Sequence, residues 1–157
     1  MKLVLNASPL IFLAKIDMID LLPEIAERCI IPFGVINEIK QHQDEVSWRF
    51  EQNTGKFNIK SCIIPPLISA WDLGKGESEV IAYAYKHKDY VVALDDKAAR
   101  SCAMVLHIEV IGTLGIILMA KRKNLIDNAE PYLKKLLDSG FRISSELYEH
   151  ALKLSRQ

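Results

Sequence analysis

Acidic and amide side chains stand at the points where the sequence predicts that buried strands end. Asp95 and Asp96 directly follow the apolar run 90–94, and Asn6 follows the predicted strand 2–5. In a parallel sheet the carboxyl ends of the strands share one edge, and ligands bind at that edge in α/β proteins. We therefore expect these three side chains to be neighbours, and two carboxylates at such an edge suggest a cation or a charged substrate.

Two glutamates could join this group. Glu77 begins a predicted helix and lies on its apolar stripe, so we expect its carboxylate to face the sheet. Glu79 falls on the opposite side of the same helix and is expected to be solvated. Glu38 lies beside Ile39, at the margin of the inward side of another predicted helix.

Carboxylates held close together repel one another, which raises their pKa values and costs stability. A divalent cation that prefers oxygen ligands, Mg²⁺ or Mn²⁺, would offset this repulsion. Such an ion lowers the pKa of a bound water and neutralises charge on a phosphate. Phosphodiester cleavage is therefore the chemistry that a site of this kind supports.

Each of these residues also has a purely structural interpretation. An acid in the first turn of a helix, such as Glu77, complements the helix dipole. Asp96 is a good N-cap for the helix that follows it. Asn6 could satisfy the backbone of a turn, and Glu38 could be a partly exposed helix residue. The sequence leaves these alternatives open.

The elements that would position these residues alternate between strands and helices. Strands are predicted at residues 2–5, 28–31, 57–64, 90–94 and 108–111. Ser8 is expected to cap the first helix, with Pro9 at its first position. Amphipathic helices are predicted across 129–137 and 144–154. The pattern predicts an α/β fold in which helices cover both faces of a mostly parallel sheet.

Length and composition bound the function. The 157 residues are predicted to form one domain, 1–157, with a sizeable core. Twenty basic side chains balance twenty acidic ones, so a nucleic acid would have to be bound by a local basic patch. Lys97 and Arg100 are the candidates for contacting a phosphate, with ordinary surface charge as the alternative. Unpaired cysteines and the lack of a long apolar run predict a cytoplasmic protein without a membrane span.

Four segments together resemble the PIN-domain superfamily. They are LVLNASPLI at 3–11, VINEI at 35–39, GKGESEVIA at 74–82 and LDDKAAR at 94–100. GTLG at 112–115 and GFRIS at 140–144 also fit. The closest resemblance is to a prokaryotic PIN-like branch that includes VapC-type toxins, and it spans nearly the whole chain.

The resemblance implies a three-layer α/β/α PIN fold and a Mg²⁺- or Mn²⁺-dependent ribonuclease that acts on single-stranded RNA. Carried over by motif, the catalytic and metal-binding acids are Glu38, Glu77 and Asp96, with Asp95 as a flanking or alternative ligand. Ser8 matches the small hydroxyl residue that supports the first acid of the family. Toxin-type relatives are encoded beside an antitoxin and form homodimers, so the resemblance implies these partners as well.

The chain departs from the family at the first acid, where it carries Asn6. The amide oxygen of Asn6 can still coordinate a metal, but it brings no charge and cannot act as a base. Two unit charges about 4 Å apart interact by on the order of 4 kcal/mol at an effective dielectric of about 20, and a unit charge beside a divalent ion by nominally about twice that. Changes in hydration offset much of this, so the figure is an upper bound. We therefore expect weakened metal binding and reduced or absent nuclease activity.

The main rival function keeps the fold and lacks catalysis: a degenerate module that binds RNA or a protein. Asn6 favours this rival, whereas the retained Glu38, Glu77 and Asp96 favour the enzyme. A dinucleotide-binding enzyme is disfavoured because no G-x-G-x-x-G follows a strand. A phosphorelay receiver is disfavoured because its acidic pair should end the first strand.

Overall fold

A parallel sheet forms the centre of the fold. The computed structural model describes residues 1–157. The strands are β1 (Lys2–Leu5), β2 (Arg28–Pro32), β3 (Asn58–Lys60), β4 (Tyr90–Ala93) and β5 (Val110–Ile111). They lie in the order β3-β2-β1-β4-β5, and every neighbouring pair is parallel. The predicted α/β architecture is confirmed.

Helices connect the strands and continue after the last one. They are α1 (Ala7–Lys15), α2 (Leu22–Ile25), α3 (Phe33–Lys40), α4 (Glu45–Asn53), α5 (Pro66–Ser69), α6 (Lys75–Lys86), α7 (Lys97–Val105), α8 (Thr113–Arg122), α9 (Glu130–Asp138) and α10 (Ser145–Ser155). None of them has the length and apolarity that a membrane crossing requires.

The central strands are apolar on both faces, because helices cover the sheet from both sides. Leu3, Val4 and Leu5 of β1 are fully buried, as are Val92 and Ala93 of β4. These residues belong to one hydrophobic core of 44 buried side chains. A core of this kind leaves the polar residues that follow each strand as the first groups able to meet solvent or a ligand.

Strand register brings the carboxyl ends of three strands to one edge. Leu5 pairs with Ala93, and Ala93 pairs with Ile111. The backbone N–H of Asn6 continues the ladder by donating to the carbonyl oxygen of Ala93 at 3.2 Å. The residues that follow β1, β4 and β5 therefore lie side by side.

Several element boundaries differ from the sequence prediction, including those of the edge strand and of the first helix. The edge strand covers three residues of the predicted 57–64, because its partner β2 ends at Pro32, opposite Lys60, where α3 begins. The first helix begins at Ala7 with Asn6 as its N-cap, so the prediction that Ser8 caps it was wrong. The chain turns directly after β1, which places Ser8 inside the first helical turn.

The cysteine thiols are free, and Cys29 and Cys102 are buried while Cys62 is half-buried. Burial raises the pKa of Cys29 to about 12. Burial also raises the pKa of Cys62 to about 11. A nucleophilic cysteine needs a lowered pKa, so neither thiol is suited to that role.

Candidate active site

A cleft of about 700 Å³ lies at the carboxyl edge of the sheet. It contains six of the residues that the sequence assigned to a site, namely Asn6, Ser8, Glu77, Asp95, Asp96 and Lys97. Phe12, Gly140, Phe141 and Arg142 complete its lining. Residues that follow β1 and β4, residues of α1, α6 and α7, and the segment before α10 therefore meet in one place.

Asp95 is the most completely bonded residue of this cleft. Its Oδ2 accepts hydrogen bonds from Ser8 Oγ at 3.0 Å and from Thr113 Oγ1 at 2.6 Å. Its Oδ1 accepts one from the backbone N–H of Thr113 at 2.8 Å. The resemblance assigned Ser8 to the support of residue 6, but its hydroxyl donates to Asp95. The carboxylate of Asp95 thus ties the ends of β1, β4 and β5 together.

Thr113 is a site residue that the sequence analysis missed. It is fully buried at the start of α8 and contributes two of the three hydrogen bonds to Asp95. The available signal was its position, because Thr113 follows β5 by two residues, just as Asp95 follows β4 by two. Gly112 permits this close approach, since a Cβ there would lie 3.3 Å from Asp95 Oδ1.

Asn6 is buried, with 4% of its surface exposed, and its Oδ1 has no hydrogen-bond partner. The alternative that this side chain satisfies the backbone of the turn is not realised, since it makes no capping bond. A Cβ on Gly76 would lie 3.5 Å from Asn6 Oδ1 and 3.2 Å from Glu38 Oε2. The two oxygens are therefore no more than about 7 Å apart, next to a residue that has no side chain.

Glu77 is half-buried in the first turn of α6 and accepts a hydrogen bond from the backbone N–H of Gly74 at 3.2 Å. Burial raises the pKa of its carboxyl, and the negative charges of Asp96 and Glu38 raise it further. The bond from Gly74 and the amide of Asn6 act in the opposite direction. The carboxyl of Glu77 therefore lies close enough to Asp96 and to Glu38 to be repelled by both.

Asp96 and Glu38 are exposed at the rim of this group. Asp96 caps α7 by accepting a hydrogen bond from the N–H of Ala99 through Oδ2 at 3.0 Å, which leaves Oδ1 free. The capping role and a ligand role can therefore coexist in Asp96. Glu38 lies on α3 outside the lining of the cleft and approaches it through Gly76.

The structure contradicts the expectation that Glu79 is solvated. It is 5% exposed, and its Oε2 accepts a hydrogen bond from the backbone N–H of Gly34 at 2.6 Å. The first turn of α3 has no cap of its own after Pro32, so Glu79 supplies the acceptor from another helix. A Cβ at Gly34 would lie 2.5 Å from this oxygen, so a side chain there would displace the carboxylate of Glu79 from its hydrogen bond. Glu79 thereby positions α3 against α6.

The cations near the cleft differ in how firmly they are fixed. Lys97 is exposed and forms no ion pair. Arg100 is half-buried, and its Nη1 donates to the carbonyl oxygen of Leu94 at 2.8 Å. This bond fixes the guanidinium of Arg100 beside the end of β4, and its contact with a phosphate stays a prediction. Arg142, to which the sequence analysis gave no role, lines the cleft as a third cation.

The donor chemistry of the site fits a hard divalent cation. Glu38, Glu77, Asp96 and the unbonded Asn6 Oδ1 offer oxygen only, which Mg²⁺ and Mn²⁺ prefer. Burial raises the pKa of Glu77 most, and the charges of Asp96 and Glu38 raise it further; a bound cation would counter both effects. No three histidine, cysteine, aspartate or glutamate side chains converge into a ready metal-binding group. The residues fit the ion in type and charge, and the protein alone does not close a cage around it.

Comparison with known proteins gives one match. The family model of the PIN domain matches residues 2–157. No curated protein sequence matches the chain.

Proposed function

The chain belongs to the PIN-domain family, whose members are generally nuclease-type, divalent-metal-dependent domains, and we propose that it is a ribonuclease that acts on single-stranded RNA. The observation that carries the proposal is the group formed by Glu38, Glu77, Asp96 and the unbonded oxygen of Asn6. This group combines a half-buried glutamate that two neighbouring carboxylates repel with a buried acceptor that the protein does not satisfy. Both features are costs that a bound cation would remove.

The residues divide the work of the reaction. Glu38, Glu77, Asp96 and Asn6 would hold Mg²⁺ or Mn²⁺. When bound, the ion supplies an activated water and charge neutralisation at the phosphate. Lys97, which is exposed and unpaired, attracts the RNA backbone to the edge that carries the carboxylates, and Arg142 lies in the same cleft. Asp95 acts as a positioning residue, because its hydrogen bonds join the strand ends that carry the others.

Cleavage of a labelled single-stranded RNA tests this function. The wild-type protein should cut in Mn²⁺ and stop in EDTA, and Glu77→Gln should slow the reaction by about 100-fold. Glu109→Gln is the matched control, because Glu109 is exposed before β5, at the opposite edge of the sheet. Cleavage that persists in EDTA, or that Glu77→Gln and Glu109→Gln affect equally, would contradict the proposal.

A second function has its own support. Asn6 removes one negative charge from the first position, and no three acidic, histidine or cysteine side chains form a metal group. These observations favour a catalytically degenerate module that binds RNA or a protein. Such a module would bind single-stranded RNA in EDTA, measured by fluorescence anisotropy, and would leave it intact at every Mn²⁺ concentration.

The toxin-type assignment is a finer part of the proposal and is supported by the motif resemblance. It places a homodimer in the cytoplasm, with an antitoxin that covers the acidic edge. Expression of the chain should arrest growth, and co-expression of a small protein encoded directly upstream should restore it. Growth arrest that Glu77→Gln does not relieve would count against a nuclease toxin.

A further inference from the structure

A second cavity, of about 450 Å³, lies beside the acidic cleft. Asp95, Phe141 and Arg142 line both spaces. The second cavity extends from this shared wall between α7, β5, α8 and the start of α10. A polymeric substrate that reacts in the cleft could therefore place its neighbouring monomer in this cavity.

The lining of the second cavity is chemically unlike that of the cleft. Half of it is apolar: Val110, Ile111, Leu114, Phe141 and Leu147. Its positive charge comes from Arg100 and Arg142, and neither forms an ion pair. The carboxylate of Asp95 is also in the wall, but its oxygens already accept hydrogen bonds from Ser8 and Thr113. An apolar wall with two unpaired guanidinium groups is complementary to a flat, partly apolar molecule that carries acceptors and negative charge.

The structure holds two of these groups in fixed orientations. Arg100 is anchored through Nη1 to the carbonyl oxygen of Leu94 at 2.8 Å. A Cβ at Gly112 would lie 3.0 Å from this nitrogen, so the glycine leaves room for the guanidinium. The ring of Phe141 meets that of Phe12 edge-on, with centroids 5.0 Å apart and an angle of 87°. Groups that are fixed before binding lose little freedom when a ligand arrives.

We propose that this cavity binds the base and sugar of one nucleotide of single-stranded RNA, next to the phosphate that lies in the acidic cleft. The inference rests on the proposed function and names the part of the substrate that the protein itself recognises. Single-stranded RNA is read by stacking of unpaired bases on aromatic and arginine side chains and by hydrogen bonds to base edges. Phe141, Arg100 and Arg142 are groups of these kinds.

The volume and charge of the cavity favour a nucleotide over other ligands. Its volume falls within the range of about 300–1,000 Å³ that is usual for small-molecule sites, and one nucleotide fills such a space. An apolar peptide side chain would leave both arginines without a partner. A bare phosphate would not use the apolar wall, so the base should contribute most of the affinity.

Equilibrium binding of mononucleotides tests the proposal without any cleavage. The four nucleoside 5′-monophosphates are titrated by calorimetry in EDTA, beside ribose 5-phosphate and inorganic phosphate. At least one nucleotide should bind about tenfold or more tightly than ribose 5-phosphate. Arg142→Ala should weaken that binding about tenfold. Arg142 is exposed and makes no hydrogen bond, so this variant should fold normally.

Arg122→Ala is the matched control, because Arg122 is an exposed arginine at the far end of α8. The proposal is overturned if nucleotides bind no better than ribose 5-phosphate, or if Arg142→Ala and Arg122→Ala behave alike. If RNA is still cut in a Glu77-dependent way in that case, the proposed function survives and only the nucleotide site fails. If nucleotides bind as expected and no RNA is cut, the site stands and the nuclease proposal fails.

Discussion

Two groups of residues at the carboxyl edge of the sheet differ in how well the protein satisfies their polar atoms. We call them the Asp95 corner, with Ser8 and Thr113, and the Asn6 corner, with Glu77. At the Asp95 corner, Ser8 and Thr113 direct three hydrogen bonds at one carboxylate. At the Asn6 corner, a buried amide oxygen has no partner, and Glu77 is repelled by its neighbours. Buried polar groups in native proteins are nearly always bonded, so an exception points to a missing partner or a function.

The two corners therefore have different roles: the Asp95 corner stabilises the fold, and the Asn6 corner is suited to binding a ligand. The Asp95 corner stabilises the protein without any ligand, because its donors and acceptors match. The Asn6 corner destabilises the protein until something binds, since a ligand that binds only the folded state adds its binding energy to stability. Mutations at the two corners should therefore act on different quantities.

Asp95→Ala should have the largest effect on stability. It leaves the donors of Ser8 and Thr113 without their acceptor, and the free energy of unfolding should fall by about 3 kcal/mol. Asp96→Ala is the matched control next to it, because it removes only an N-cap bond and should cost about 1 kcal/mol. Urea unfolding measures both. Equal losses would show that the Asp95 corner has no special role in stability.

Asn6→Asp should strengthen metal binding at the other corner. The added charge faces the ion directly, so the dissociation constant for Mn²⁺ should fall about 10- to 100-fold in calorimetric titration. Asn58→Asp, at the exposed amino end of β3, should leave it unchanged. In EDTA the Asn6→Asp protein should be less stable than the wild type, because the buried carboxylate has no counter-charge. An unchanged affinity for Mn²⁺ would contradict the assignment of residue 6 to the metal site.

The pH dependence of stability should report the raised pKa of Glu77, which burial and then the charges of Asp96 and Glu38 produce. The pKa of Glu77 is raised in the folded state above 4.5, the ordinary value for a glutamate. In the pH range from about 4.5 upwards to the raised pKa, the folded protein therefore binds more protons than the unfolded chain. The free energy of unfolding therefore falls as pH rises through this window. Glu77 is half-exposed, so the change should stay below about 1 kcal/mol. Thermal melts from pH 4 to 7 should show that stability declines less in Glu77→Gln than in the wild type. An equal decline in the two proteins would show that other groups cause it.

Glu79→Gln should have the smallest effect. The amide oxygen can still accept from the N–H of Gly34, and only the charge at the start of α3 is lost, which is worth about 0.5 kcal/mol. Binding of Mn²⁺ should hardly change, because Glu79 does not line the cleft. A loss of metal affinity as large as that of Glu77→Gln would show that the two glutamates of α6 act together.

Much of the candidate site followed from local patterns. Asn6, Asp95 and Asp96 were predicted to share an edge because each follows an apolar run, and register confirms that β1 and β4 end together. Glu79 shows the limit of such patterns. Periodicity assigns one apolar stripe to a helix, but α6 packs against both the sheet and α3. A buried carboxylate on its second side needs the backbone of Gly34, and no local pattern reveals that partner.

The alternation of strands and helices and the parallel direction that places polar residues at one edge could be predicted from the sequence, because they depend on local period and on chain direction. Which carboxylate the protein satisfies, and which polar oxygen it leaves without a partner, became visible in the assembled fold. The donors to Asp95 come from Ser8, 87 residues away, and from Thr113, 18 residues away. Bonds over such separations form only when the sheet has assembled, and the Asn6 oxygen remains without one.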